Sequence, residues 1–406
     1  MSIKSTARFF LYTILIAMAT SPAFALGEGN RNVLLIGLMG ASPLLVLAFK
    51  RFHKTDVWLG VFMLSLIAAP MLNQPQSMRW STVLYSCLFC FTFMAYTRLL
   101  YFSRFTIHQY HKLLTYLIYV YFAVLFIQQF CVLTGLPIFN LSNYNPSEPW
   151  KLNSLAAEPS HSARIVAVLM YCYIIVKELM LNRSYSLRKD FKGDEWVWLA
   201  FLWTMLTMGS GTAFLFIPIV LLKFIQKKNI IPLILLLAVM LFITNSLGIT
   251  AIDRTFNVFM ATLTLNPEAI IVADHSASFR IVPFIVLASM LSLTTLNGWL
   301  GHGIDYVSTF LYQYMPGAGE NVTGGGLMAM AIEYGFLCFL IFIIGSIQAA
   351  VPRKNWGVAV VFWFMLVFSY GINSQILWLC IVLLFTNNHF SKVSVAYKVQ
   401  LTKKEL

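Results

Sequence analysis

The stretch IVPFIVLASMLSLTTLNGWL, residues 281–300, decides how the rest of the chain is threaded. It is long and apolar enough to be a membrane-crossing helix, which needs about 20 mostly apolar residues. Ser289, Ser292 and Thr295 recur every three residues and would give such a helix a polar stripe. The stripe favours a helix that lies on a membrane surface or packs into the protein. If 281–300 crosses the membrane, every loop after residue 300 lies on the opposite side from where a surface helix would place it.

The composition places most of the chain in lipid. Of 406 residues, 59% are hydrophobic and only 11% are charged, whereas a soluble domain carries about 25% charged residues. Because a spanning segment must satisfy its own backbone hydrogen bonds, we predict an all-α polytopic membrane protein, with residues 1–406 as a single integral membrane domain. The net charge of +13 comes from short basic clusters between apolar runs. That pattern is typical of cytoplasmic loops and not of a nucleic-acid-binding domain.

The apolar runs predict about 12 transmembrane helices. They lie near 9–26, 32–49, 57–73, 80–97, 113–135, 163–182, 195–209, 212–226, 229–248, 324–348, 356–372 and 376–390. The first run follows Lys4 and Arg8 and precedes Ser21-Pro22-Ala23-Phe24-Ala25, an arrangement that resembles a secretory signal peptide. We expect an uncleaved first span.

The basic residues resolve the ambiguity of 281–300. With a cytoplasmic N-terminus, only six of the 28 Lys and Arg residues fall on the outside. These six are Arg31, Arg79, Lys151, Arg164, Arg254 and Arg280. Counting 281–300 as a crossing would move Arg353, Lys354 and the C-terminal lysines outside, against the positive-inside rule. We therefore predict an outer surface helix at 281–300, both termini in the cytoplasm, and large outer loops at about 136–162 and 249–323.

The first outer loop ends in a polar cluster at the mouth of a predicted span. Glu158, His161 and Arg164 are spaced by three residues, and Pro159 suits the first turn of a helix. A helix beginning near Pro159 would place His161 and Arg164 on one face. Such a cluster could bind an anionic headgroup or move a proton, or it could be ordinary loop polarity near a helix cap.

The second outer loop contains Asp274-His275-Ser276-Ala277-Ser278-Phe279-Arg280. A guanidinium suits bidentate binding of phosphate, so Arg280 could hold a lipid headgroup or a polyprenyl diphosphate. A simple interfacial anchor is the alternative for Arg280. Arg254 has the same two alternatives.

Other polar positions are weaker candidates. The turn Ser210-Gly211-Thr212 could admit a ligand, although a tight helical hairpin also needs small residues. Glu333 is an ionisable group inside the predicted span 324–348, which makes it either a functional group or a packing element. The sequence contains no HExxH motif, no carboxylate-rich cluster and no phosphate-loop pattern, so we expect neither a metal nor a cofactor.

Five features resemble the O-antigen and exopolysaccharide polymerase family, which is related to the O-antigen ligases. In order, they are Glu158-Pro159-Ser160, Ser210-Gly211-Thr212, Ser276-Ala277-Ser278-Phe279-Arg280, Gly301-His302-Gly303 and Ala331-Ile332-Glu333-Tyr334-Gly335. The resemblance implies a bacterial inner-membrane glycosyltransferase with a periplasmic active site. It would transfer a glycan from undecaprenyl diphosphate to the next lipid-linked repeat unit, beside a chain-length regulator and a flippase.

The resemblance also suggests roles for residues. Arg280, and then Arg164, would stabilise the diphosphate leaving group, because positive charge belongs where negative charge develops. Glu158 and His161 are candidates for the base that receives the acceptor proton, with His275 as runner-up. Arg254, Ser210, Thr212, Asn321 and Glu333 are the further substrate-binding candidates.

One departure favours a polymerase over a ligase. Ligases tend to carry a His-Asn pair before the Glu-x-Gly span, whereas this chain has Gly319-Glu320-Asn321-Val322. A transporter is the competing class, but it would need ionisable groups deep in several spans. A purely structural membrane subunit is the third alternative, and it leaves the polar clusters unexplained.

Overall fold

The structure is a computed structural model, and it describes residues 2–20, 25–26, 31–140, 144–224, 250–315, 324–352 and 356–405. The described chain is almost entirely helical. Its α-helices are α1 (Ile3–Ala19), α2 (Val33–Ala48), α3 (Lys54–Asn73), α4 (Trp80–Phe102), α5 (Ile107–Thr134), α6 (Pro159–Leu181), α7 (Leu187–Asp190), α8 (Glu195–Thr207), α9 (Gly211–Leu221), α10 (Thr250–Leu263), α11 (Pro267–Ala273), α12 (His275–Met290), α13 (Leu296–Leu300), α14 (Leu327–Glu333), α15 (Phe336–Ala350), α16 (Trp356–Trp363) and α17 (Gln375–Glu405).

Shorter elements connect these helices. Two-residue strands, β1 (Ala25–Leu26) and β2 (Arg31–Asn32), pair antiparallel just before α2. Single 3-10 turns follow α3, α7 and α9, two more lie at Tyr306–Thr309 and Leu311–Tyr314, and a π-helical turn, Phe364–Phe368, extends α16. The architecture is therefore all-helical, as predicted.

The helices are compatible with a membrane protein. Within the described residues, α3, α4, α5 and the Gln375–Val393 part of α17 are long and apolar enough to cross a membrane. Large apolar side chains also lie on the outside of the protein, among them Leu44, Leu64 and Tyr116. Exposed apolar surface of this kind needs an apolar surrounding. Every predicted span overlaps helix except 229–248, which lies outside the described residues.

The stretch 281–300 is not one helix. Helix α12 begins at His275, because the Asp274 side chain accepts a hydrogen bond from the Ala277 N–H at 2.7 Å. It ends at Met290, and a new cap at Thr295 starts the short α13. Ser289 alone of the predicted polar stripe lies in α12, because the hydroxyl-rich segment after Met290 turns back on itself.

The predicted span 324–348 is likewise divided, into α14 and α15. Gly335 separates them with a φ of +88°, which an L-residue rarely adopts. A Cβ at Gly335 would lie 2.1 Å from the Trp299 carbonyl oxygen, and one at Gly301 would lie 2.2 Å from the Glu333 carbonyl oxygen. Two backbone segments therefore cross here at a distance that only glycine permits.

Helix α6 is the central helix of the bundle. Nearly all its residues from Pro159 to Val176 are buried, and α5, α8, α9 and α17 pack around it. A helix that is apolar on all sides is buried on all sides. Its N-terminal turn is therefore held rigidly by the surrounding helices.

Contacts between connecting segments define two ends of the bundle. At one end, Arg280 meets Glu158, Arg164 meets Tyr370, and Gln375 donates a hydrogen bond of 2.7 Å to the Met18 carbonyl. We call this the site end. These contacts join segments that the sequence predicts to share the outside.

At the opposite end, charged groups form buried pairs. Arg98 Nη1 lies 3.0 Å from Asp56 Oδ1, and both side chains are less than a tenth exposed. The other Asp56 oxygen accepts a hydrogen bond from the His53 N–H at 2.6 Å, which completes the cap of α3. Lys177 Nζ lies 2.7 Å from Asp194 Oδ1 and ties α6 to the segment before α8.

A second, smaller hydrophobic core positions α12. Val282, Val286 and Leu287 on α12 pack against Ile270 of α11 and Ile332 of α14. Val307, Leu311 and Met315 complete this satellite core. Arg280 is therefore carried on a helix with a core of its own, separate from the core around α6.

Candidate functional site

The site begins at the first turn of α6. Glu158 is the N-cap residue, but its side chain makes no capping hydrogen bond. Its Oε2 instead accepts a hydrogen bond of 3.0 Å from the Ser160 hydroxyl. Pro159 occupies the first helical position, as predicted, so His161 lies in the first turn of α6 and Arg164 in the second.

Arg280 approaches this turn from α12. Its Nη2 lies 3.6 Å from Glu158 Oε2 and 3.4 Å from the Ser160 hydroxyl oxygen. The side chains of Arg280 and Glu158 are 42% and 37% exposed, so a ligand can reach both. The 3.6 Å separation is longer than a strong charge-assisted hydrogen bond, which leaves the guanidinium free to bind an anion.

Tyr370 is the site residue that the sequence did not predict. Arg164 Nη1 donates a hydrogen bond to its hydroxyl, and the Arg164 guanidinium carbon lies 5.0 Å from its ring centroid. The His161 ring centroid is 6.1 Å from the same ring. We call Glu158, Ser160, His161, Arg164, Arg280 and Tyr370 together the arginine site.

The sequence gives little indication that Tyr370 belongs to the site. It lies two residues beyond the π-helical turn Phe364–Phe368, and such turns are frequent at functional sites but have no reliable sequence pattern. The dipeptide Tyr370-Gly371 at the end of an apolar run was the available clue. Its contact with Arg164 bridges 206 positions of sequence, which local patterns cannot reveal.

The electrostatics of the arginine site favour an anion. Arg280 contacts the Glu158 carboxylate, and the charges of Arg164 and Asp274 also act on its guanidinium while Asp274 caps α12. Partial burial and the charge of Arg164 lower the pKa of the Arg280 guanidinium, because each penalises the charged form. A bound anion would relieve that repulsion.

His161 lies in the turn that precedes the predicted span 163–182. Burial, together with the positive charges of Arg164 and Arg280, lowers the pKa of its imidazole, although Glu158 opposes the shift. The imidazole is therefore neutral near pH 7. A neutral imidazole beside a carboxylate can accept a proton from a hydroxyl group.

The structure places His275, Ser210 and Thr212 at the starts of helices α12 and α9. His275 is exposed in the first turn of α12, with its ring 4.9 Å from that of Phe279. It precedes Arg280 by five residues, about 7.5 Å along the helix axis. Ser210 is buried as the N-cap of α9, and Thr212 lies in the first turn of that helix.

Two predicted residues fall on parts that the structure does not describe. Arg254 lies in α10, but its side chain is outside the described residues. Asn321 lies wholly outside the described residues.

Glu333 belongs to a separate cluster. Its Oε1 accepts a hydrogen bond of 3.3 Å from the Val307 N–H, and its carbonyl accepts one of 3.2 Å from Gly303. Asp305, nearby, forms an ion pair with Arg79. Glu333 therefore holds the segment that follows α13, and we find no contact between it and the arginine site among the described residues.

Comparison with known proteins gives no family: no family model, no curated protein and no solved structure matches the chain. Among the described residues, no three His, Cys, Asp or Glu side chains are grouped so that they could hold a metal ion. The fold and the site together define an all-helical protein, compatible with a membrane, that has an anion-receptive pair of arginines at one end of its bundle.

Proposed function

We propose that this chain is an inner-membrane glycosyltransferase that polymerises undecaprenyl-diphosphate-linked repeat units into O-antigen, capsule or exopolysaccharide. The observation that carries the proposal is the contact of Arg280 with Glu158, the N-cap residue of the helix that also carries His161 and Arg164. Two guanidinium groups at an accessible surface suit a diphosphate, and a carboxylate with a neutral imidazole suits an acceptor hydroxyl.

The proposed topology has about 12 crossings, both termini in the cytoplasm, and the arginine site in the periplasm. The positive-inside count supports this orientation. The contacts at the site end support it further, because they join α1, α6, α12 and α17 through segments assigned to one side. Undecaprenyl-linked glycan and membrane lipids are the proposed partners, beside a chain-length regulator and a flippase.

In the proposed reaction, a hydroxyl group of the acceptor repeat unit attacks the anomeric carbon of the donor glycan. The new glycosidic C–O bond forms as the bond from the anomeric carbon to the diphosphate oxygen breaks. The bonding electrons leave with the undecaprenyl diphosphate, where Arg280 and Arg164 stabilise the charge. The hydroxyl proton passes to Glu158 or His161.

Analysis of the surface polysaccharide after gene deletion tests the proposal. Loss of a polymerase leaves a single repeat unit on the final carrier. Loss of a ligase, the alternative within the same chemistry, leaves long chains on the lipid carrier and none on the final acceptor. Unaltered polysaccharide would refute both, and accumulation of untransported glycan on the cytoplasmic side would indicate a transporter.

A further inference from the structure

An apolar groove of about 510 Å³ lies between α5 and α8. Its walls are Phe126, Phe130 and Leu133 of α5, Trp203 and Thr207 of α8, and Trp150 from the loop before α6. We call it the tryptophan groove. The side chains of its α5 wall and both tryptophans are substantially exposed, so the groove is open along its length.

Gln129, on the α5 side of the groove, is hydrogen-bonded to two residues of α8. Gln129 Oε1 accepts a hydrogen bond of 3.0 Å from the Trp203 indole, and Gln129 Nε2 donates one of 2.7 Å to the Thr207 hydroxyl. An occupant therefore finds no free donor or acceptor on this amide. The groove suits a hydrocarbon, because any polar group placed in it would lose its hydrogen bonds to water.

A short stretch of chain leads from the groove to the first turn of α6, where the arginine site begins. The Leu152 N–H donates a hydrogen bond of 3.3 Å to the Met208 carbonyl at the end of α8. The next residue, Asn153, accepts a hydrogen bond from the Ser162 hydroxyl in the first turn of α6. Asn153 follows Trp150 by three positions, a distance of about 11 Å at most.

We propose that the tryptophan groove holds the hydrocarbon chain of the isoprenoid lipid whose diphosphate is held at the arginine site. The inference rests on the proposed function, and it adds where the lipid tail is bound. One ligand then spans two complementary surfaces: its anionic head meets two guanidinium groups, and its tail meets aromatic and aliphatic side chains.

Photolabelling tests the assignment without requiring turnover. The probe is a polyprenyl diphosphate with a diazirine in its isoprenoid chain, added to the full-length protein in lipid nanodiscs. We expect label on α5 and α8 at the groove residues. Unlabelled undecaprenyl phosphate should suppress the label, and phosphatidylglycerol should not. Equal suppression by phosphatidylglycerol would mean a bulk-lipid surface and would overturn the inference, as would label confined to other helices.

A groove-filling substitution gives a second readout. Leu133 is 72% exposed, so Leu133→Trp should fill the groove without disturbing the core. We expect the KM for a long-chain donor to rise about tenfold, which corresponds to about 1.4 kcal/mol of lost chain contact, with the KM for a short-prenyl donor unchanged. The matched control is Leu64→Trp on α3, which is 66% exposed and away from the groove.

The two readouts separate this inference from the proposed function. An equal rise of KM for both donors, or the same effect in Leu64→Trp, would overturn the groove assignment while polymer formation still stood. Wild-type protein that forms no polymer but shows competed label in the groove would refute the polymerase instead.

Discussion

Nη2 of Arg280 lies 3.6 Å from Oε2 of Glu158, and this contact joins helix α12 to the first turn of the central helix α6. Both side chains are partly exposed. An ion pair of this kind contributes about 0–1 kcal/mol to stability, so it is poorly explained as a structural fastener. Its geometry suits a guanidinium that exchanges a weak internal partner for a ligand.

Replacing Arg280 with Ala should therefore abolish chain extension while the protein level stays normal. The polysaccharide ladder on a gel and an immunoblot of the membrane fraction measure the two outcomes. Arg280→Lys should restore only part of the activity, because an ammonium lacks the bidentate fork. Lys151→Ala is the matched control, since Lys151 forms an equally exposed ion pair of 3.0 Å with Glu148. Normal chain length in Arg280→Ala would remove Arg280 from the site.

Tyr370→Phe should weaken donor binding through Arg164. The substitution keeps the ring beside His161 but removes the oxygen that accepts the Arg164 hydrogen bond. A buried donor left without its partner costs about 1–3 kcal/mol, so the KM for the glycan donor should rise between about fivefold and about 150-fold. Tyr116→Phe, at an exposed position on α5, is the control. A fall in kcat with an unchanged KM would instead place the hydroxyl in the chemical step.

The pH dependence of activity should show no ordinary histidine titration. Because the pKa of His161 is lowered, its imidazole stays neutral as the pH falls through about 6.5. The lowered pKa also makes the folding stability depend on pH. Below about pH 6.5 the unfolded chain binds the histidine proton more readily than the folded protein does. The folded protein therefore has its full stability from this group above about pH 6.5 and loses it as the pH falls further. Initial rates measured between pH 7.5 and 6 should stay level. An inflection near pH 6.5 that disappears in His161→Gln would contradict the assignment.

Gly335→Ala should destabilise the protein strongly. The substitution puts a Cβ 2.1 Å from the Trp299 carbonyl oxygen in a left-handed backbone, so the crossing of the two segments must open. The left-handed backbone conformation alone should lower the free energy of unfolding by about 1–2 kcal/mol, and the steric clash should add to that loss. Gly357→Ala is the control, because nothing lies within 4 Å of its Cβ position in α16. Thermal unfolding in detergent should show a lowered midpoint for the first variant only.

Arg98→Met should be far more damaging than the loss of an exposed pair. It leaves the buried Asp56 carboxylate without its counter-charge, which costs about 3–5 kcal/mol. Adding Asp56→Asn should restore much of the loss, and a double-mutant cycle measured by chemical unfolding quantifies the coupling. Arg183→Ala, which removes the exposed pair with Asp190, should have little effect. If the loss of stability in the double variant equalled the sum of the losses in the two single variants, the two charges would not be coupled.

Local chemistry explains what the sequence predicted correctly. The apolar composition dictates an all-helical chain, because only helices satisfy the backbone of such segments in lipid. The start of α6 follows from Pro159, which fits a first helical turn and little else in a helix. Glu158, His161, Arg164 and Arg280 stand out in the sequence because charged groups are scarce around them.

Long-range geometry explains what the sequence did not reveal. Helix α12 starts at His275 because the Asp274 side chain caps it, a choice that competes with other starts in the same loop. The division at Gly335 depends on a backbone crossing with Gly301, which no local pattern encodes. Tyr370 joins the site because α17, which begins five residues after it, packs against α6, so that its hydroxyl meets Arg164 across 206 positions of sequence.

The two sides of the arginine site belong to different hydrophobic cores. Glu158 and Arg164 lie at the start of α6, the buried helix against which the other helices of the bundle pack. Arg280 lies on α12, which is held by the smaller satellite core that contains Val282, Val286 and Leu287. We expect any opening of the site to be a tilt of α12 together with this small core, while the buried bundle around α6 stays still.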